Sequence, residues 1–262
     1  MFTGINKLFE NQVSAFPLAV FRITFVFMCL IEAIENTYFR HLIFDFVPYL
    51  EPSRISTKPI FFIWIICLLF LLVGFKTRQA AIINYIFTVV VIGHSGIPFG
   101  FDWHVDVLLL IGSVLLVLLP VNRYMAVDAL LAALKKSSIS EEAWENYGQV
   151  SFIYKFYLIL FVANIYIDSI LWKITSPMYL AGLGFWAPAS LPYNTYIDLS
   201  YILSFENLNR FLGFFVLFFE AFFIVLVMFK RLRPWVCLIG IIFHIVILVA
   251  FPLLIFSFFM IT

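Results

Sequence analysis

FLGFFVLFFEAFFIVLVMFKRLRPWVCLIGIIFHIVILVAF, residues 211–251, decides the fold. Two long apolar runs flank the basic turn Lys230-Arg231-Leu232-Arg233, and Pro234 opens the second run. In a bilayer each backbone N–H and C=O must be satisfied within its own segment, so runs of this length read as membrane helices. A proline in the first helical turn costs no hydrogen bond, which suits Pro234. The stretch is therefore a helical hairpin, and it carries one acid, Glu220, and one imidazole, His244, inside its apolar arms.

The composition of the whole chain agrees. Hydrophobic residues make up 64% and charged residues 12%, about half the charged share of a soluble domain. With a mean hydropathy of +1.07, a soluble fold would lack the polar surface it needs against water. The net charge of +1 excludes the strongly basic balance of a nucleic-acid binder. Cys29, Cys67 and Cys237 stand apart in apolar runs with neither a CxxC pair nor zinc spacing, and read as packing residues.

The same reading along the chain predicts an all-α, polytopic helical membrane protein of about seven spans, at residues 16–34, 59–73, 80–93, 105–121, 150–172, 207–229 and 234–251. No small-residue cleavage site follows the first run, which argues for a retained span. The second and third are short for a bilayer that needs ~20 residues, so tilt or flanking residues must complete them. Pro252 ends or kinks the last span and leaves residues 253–262 as a short terminal helix. One domain, 1–262, is expected.

Between spans, residues 126–136 have the pattern of an interfacial helix, and Ser138-Ile139-Ser140-Glu141 that of a turn before another short helix. Residues 174–206, rich in Pro, Gly and aromatics, form either an ordered or partly re-entrant outer cap or a plain connector with interfacial anchors. The basic tight turns at 76–78 and 230–233 place the N-terminus in the cytoplasm, because short loops obey the positive-inside rule best. The expected location is the inner, cytoplasmic membrane.

Ionisable groups inside spans need a partner or a function. Glu220 and His244 each lie twelve residues from Leu232, hence at similar depth, about 15 Å along each helix. They are expected to hydrogen-bond or to share a polar bridge, as a proton-handling or ligand-binding pair or as a structural tie. Arg22 either snorkels to the cytoplasmic face or finds an acid or carbonyl in the bundle. A second group gathers at the outer ends of three spans: His94, Asp102, His104 and Asp106, with Asn164 and Asp168 one turn apart near Lys173. These side chains read as one outward-facing pocket or as a polar rim. Without a third ligand at helical spacing, no metal site is assigned. A lysine held against apolar surface can act as a base, which singles out Lys173. There is no Gly-rich phosphate loop, GxSxG elbow or HExxH helix.

Four blocks carry a family resemblance: PLAVFRI at 17–23, GFKTR at 74–78, the run from Trp103-His104 to PVNRYMAVDALL at 120–131, and IYIDSILWK at 165–173. With Glu220 and His244 in the last two spans, the chain resembles the horizontally transferred transmembrane (HTTM) family, whose animal members are the vitamin K-dependent γ-glutamyl carboxylases. The resemblance implies that Lys173 falls at or beside the base that deprotonates reduced vitamin K. It also implies that His104 lies within about one residue of the active-site histidine. Where the carboxylases have an acidic stretch after the lysine, this chain reads Ile174-Thr175-Ser176-Pro177. The chain ends at Thr262 without their lumenal domain, which points away from carboxylation of a propeptide-bearing protein. Bacterial relatives of similar size include proteins of the SdpB type, needed to produce secreted peptide toxins.

Two functions are therefore expected to compete. One is a membrane enzyme with Lys173 as base and His104 assisting, its substrate quinone-like or peptidic and held by Asp106, Asp168, Asn164, Arg22, Glu220 and His244. Its cofactor is unassigned, with a quinone the leading candidate. The other is a non-enzymatic membrane partner in the maturation or export of a small secreted peptide. A proton-coupled carrier built on Glu220 and His244 ranks last, since no inverted repeat is evident.

Overall fold

The computed structural model describes residues 10–45, 57–95, 103–135 and 148–261. The architecture is all-α, as the hydropathy pattern demands, apart from one short two-stranded ribbon. The chain, expected as one domain, groups into two compact units that divide between Tyr157 and Leu158.

The first unit holds α1 (Phe16–Ile43), α2 (Lys58–Val73), α3 (Thr77–Ser95), α4 (Trp103–Leu118) and α5 (Val127–Lys135). Strands β1 (Gln12–Ser14) and β2 (Gln149–Ser151) pair antiparallel, with Val13 opposite Val150. Helix α1 packs on α2 and α4, α2 on α3, and α3 on α4. Prolines open α1 and α2 in their first turns. Helix α5 lies within the stretch 126–136 expected to be helical. The turn and short helix read at 138–141 lie outside the described residues.

A polar ladder crosses the interior of this unit. The Trp64 indole N–H donates to Asn84 Oδ1 at 2.9 Å, Asn84 Nδ2 donates to Ser113 Oγ at 3.0 Å, and Thr88 donates to the Asn84 carbonyl. Each link joins a different pair among α2, α3 and α4 or closes the ladder on α3. In a medium without water such bonds between helices are the alternative to unsatisfied polar atoms.

The second unit begins within α6 (Phe152–Ile174), whose first residues belong to the first. Short helices α7 (Pro177–Leu180) and α8 (Trp186–Ala189), a 3-10 turn at Pro192–Asn194 and α9 (Ser200–Leu203) follow, then α10 (Glu206–Met228), α11 (Arg233–Ala250) and α12 (Leu254–Ile261). Pro252 separates α11 from α12, as expected. Residues 174–206 form an ordered cap: α7, α8 and α9 pack on α10. Asn209 on α10 donates to the carbonyls of Ile202, Leu203 and Phe205, at 2.8 to 3.2 Å, and so closes the last turn of α9. Gly213 lets the cap come close, since a Cβ there would stand 2.5 Å from the Gly182 carbonyl oxygen.

The polarity of the long helices is turned inside out. On α10, Phe211, Phe218, Phe222 and Val225 are exposed while Asn209 and Glu220 are buried. On α11, Trp235, Ile242, Val246 and Val249 are exposed and His244 is buried. Helices α1, α6, α10 and α11 are long and apolar enough to cross a membrane, and α2, α3 and α4 are shorter apolar helices. Bare aromatics outside and charges inside suit hydrocarbon, not water, as solvent. The chain is a helical membrane protein.

Candidate functional site

Among the described residues, buried charge is found at Arg22 in the first unit and at Glu220 in the second. In the first unit Arg22 is fully buried. Of its two expected environments, the bundle interior is the one it occupies. Nη1 donates to the Val121 carbonyl at 2.8 Å and Nη2 to that of Met125. Gly74, left-handed at φ +73°, ends α2 beside it; a Cβ there would stand 2.5 Å from Ala126 Cβ and 2.8 Å from Arg22 Nη1. Asp128 accepts from the backbone N–H groups of Lys76 and Thr77 at 2.8 Å and from the Thr77 hydroxyl at 2.7 Å. The blocks PLAVFRI, GFKTR and PVNRYMAVDALL thus meet at one point, where an arginine, a glycine and an aspartate fasten two turns to the body of α1.

In the second unit the buried charge lies between side chains. Helix α6 presents Tyr166 and, seven residues on, Lys173 on one inward face, since two turns of helix bring the chain back to the same side. The Lys173 ammonium pairs with Oε1 of Glu220 from α10, the two side chains being 17% and 5% exposed. Tyr179 from α7 sets its ring under the ammonium, 5.6 Å from Nζ to centroid. Gly184 leaves room for that ring, as a Cβ there would lie 2.2 Å from it. The Tyr179 phenol is held above its ordinary value, first by burial and then by the negative charge of Glu220.

Tyr166 bonds to His244 of α11, hydroxyl to Nε2, at 3.0 Å. The imidazole is packed by Phe243 and Phe256, and Tyr166 by Phe219 and Phe223. The hydroxyl donates to Nε2 or accepts from it according to the imidazole tautomer. His244 Nδ1 and the second oxygen of Glu220, Oε2, are buried with no hydrogen-bond partner. The cluster therefore leaves one imidazole nitrogen and one carboxylate oxygen in an apolar interior, where such atoms are costly to leave unmatched.

The expected sites fall out as follows. Glu220 and His244 are both buried at the inner side of the hairpin, yet they do not hydrogen-bond to each other. Each turns to α6 instead, Glu220 to Lys173 and His244 to Tyr166. Equal depth fixed their level, but the rotation of each helix chose the partner. Asn164 and Asp168 share one face of α6, as expected, but it is the exposed face, opposite Tyr166 and Lys173. Asp106 is half-buried in α4. His104 begins the same helix and His94 ends α3, with their side chains outside the described residues, as is all of Asp102. Among the described residues no three His, Cys, Asp or Glu side chains stand close enough to hold a metal ion. Sequence reasoning missed Tyr166 and Tyr179. The seven-residue step from Tyr166 to Lys173 could have revealed the first; nothing local marks the second.

Set against protein-family models, curated proteins and solved structures, this chain matches none.

Proposed function

We propose that this chain is a multi-pass inner-membrane enzyme of the HTTM type, in which Lys173 removes a proton from a quinone-like or peptide substrate. The observation that carries the reading is the setting of Lys173: an amine drawn out of water, touching one buried carboxylate and covered by an aromatic ring. Such a setting lets an amine trade its proton at a defined position, which a lysine waving in solvent cannot do. His244 and Tyr166 supply polar contacts deeper in the same unit. The IYIDSILWK block, which ends on this lysine, supports the same assignment through the family resemblance.

The test is chemical. Protein purified with its lipids is extracted and analysed by mass spectrometry for a quinone, and consumption of that quinone in its reduced form is followed in wild type and Lys173→Arg. Arginine keeps the charge but does not give up its proton. The expected result is a monodisperse variant that still carries the quinone and has lost turnover. Full turnover by Lys173→Arg refutes the base. Loss of a secreted peptide product without any quinone chemistry favours the maturation-partner function instead.

Seven passes, through α1, α2, α3, α4, α6, α10 and α11, with the N-terminus cytoplasmic, complete the proposal. The basic turns at 76–78 and 230–233 support it. In a cysteine-free background, Arg78→Cys should label from the cytoplasm and Tyr193→Cys, on the exposed cap, from outside. Labelling of both from one side overturns the topology.

A further inference from the structure

Resting on Lys173 as the base, we infer that Glu220 is its proton partner: a positioning residue that takes the ammonium proton through the existing Lys173–Glu220 hydrogen bond and gives it up to water before the next turn, while Lys173 keeps the proton drawn from the substrate, so that ammonium and carboxylate are restored.

A base must first be rid of its own proton, and among the described residues Glu220 is the group hydrogen-bonded to Lys173 Nζ. The transfer is simple to balance. The Nζ–H bond breaks and its electron pair stays on nitrogen. The proton joins Glu220 Oε1, and ammonium and carboxylate become amine and carboxylic acid. No oxidant or reductant takes part. The amine then accepts the substrate's proton, and the substrate keeps the electron pair of the broken bond.

In water this exchange would lie far toward the ion pair. Here Glu220 is buried and Lys173 partly so, and holding a charge out of water costs several kcal/mol for each ion that is fully buried. The carboxylate also lacks the extra hydrogen bonds that hold a buried charge, because Oε2 has no partner. The groups around the pair are few. From α6 come Lys173 itself and Tyr166, from α7 Tyr179, and from α11 His244, which feels the Lys173 charge. The Tyr166 hydroxyl and the imidazole are already engaged with each other. Among the described residues the acid shown bonded to the ammonium is Glu220. Its free Oε2 also gives the proton a second way out, since a carboxyl group can gain a proton on one oxygen and release it from the other.

The experiment needs no substrate. Full-length protein in lipid nanodiscs, with lysines labelled with nitrogen-15, is studied at neutral pH by infrared spectroscopy and by NMR. The expected result is a protonated-carboxyl stretch that disappears in Glu220→Gln, together with a neutral-amine signal that disappears in Lys173→Arg. Glu220→Asp, which keeps an acid in place, should retain a displaced carboxyl stretch, and it serves as the assignment if the glutamine variant does not fold. A carboxylate and an ammonium alone, at every pH where the protein stays folded, overturns the inference. Turnover separates the two ideas. Loss in Lys173→Arg with full retention in Glu220→Gln leaves the base standing and removes the relay. Full turnover in Lys173→Arg removes the base, while the two spectra still decide whether the proton is shared.

Discussion

Arg22 and Lys173 are both cations on apolar helices that ought to reject them, the first fully buried and the second partly so, and they find their partners in opposite ways. Arg22 gives its hydrogen bonds to main-chain carbonyls of Val121 and Met125. Those oxygens cannot take a proton, and a guanidinium does not release one. Lys173 gives its hydrogen bond to a carboxylate, beside a phenol–imidazole pair. Every member of that second set can exchange protons. The first arrangement builds architecture, since it fixes two turns against α1. Both leave buried atoms unmatched, Arg22 Nε in the first and Glu220 Oε2 and His244 Nδ1 in the second, but those of the second sit on groups that exchange protons, and chemistry has somewhere to begin. A buried charge is thus informative through what it touches more than through its depth.

This contrast is open to attack at its strongest point first. Arg22→Met removes two charge-assisted hydrogen bonds, each worth about 1.5–3 kcal/mol, and leaves two carbonyls without their donor. Unfolding in mixed detergent should find the variant destabilised by ~3 kcal/mol or more. Arg22→Lys should fail to restore it, because one ammonium lacks the fork that reaches both carbonyls. Recovery by lysine would mean that charge, not geometry, is what the first unit needs there. A smaller effect belongs to the second unit. Tyr166→Phe deletes one hydrogen bond to His244 and keeps the ring among Phe219 and Phe223, so a loss of about 1 kcal/mol is expected from the same assay. A loss as large as that of Arg22→Met would make the phenol a structural pillar and erase the distinction between the two units.

Much of the fold was legible because lipid imposes a simple rule on long apolar runs. Pro252 marked the break between the last two helices, and the basic hairpin turn after Phe229 fell where expected. The extent of α1 was less visible. It continues to Ile43 past Glu32, Glu35 and Arg40, since helix propensity and intrahelical bonds such as Asn36 to Glu32 carry it beyond the apolar stretch. The polar ladder of Trp64, Asn84 and Ser113 was not legible, because uncharged polar residues in an apolar run give no hint of which neighbour they meet. At the candidate site, Lys173, Glu220 and His244 stood out by their cost in lipid, but their pairing did not. Hydropathy gives depth along the helix and says nothing of rotation about its axis. Tyr179 lies in the cap, among the twelve tyrosines of the chain, and only the fold brings it under the ammonium.

The measurement that bears most directly on this account is a double-mutant cycle on the buried pair, with Lys173→Met, Glu220→Gln and the two combined, read as unfolding free energy in lipid or mixed detergent. Lys173→Met strands a carboxylate and should cost about 3–5 kcal/mol. With Glu220→Gln added, no charge is left unpaired, and the combined variant should recover a coupling of about 2–3 kcal/mol relative to the sum of the single losses. Additive losses, with no coupling, would contradict a direct ion pair between Lys173 and Glu220 and with it the chemical centre proposed for this protein.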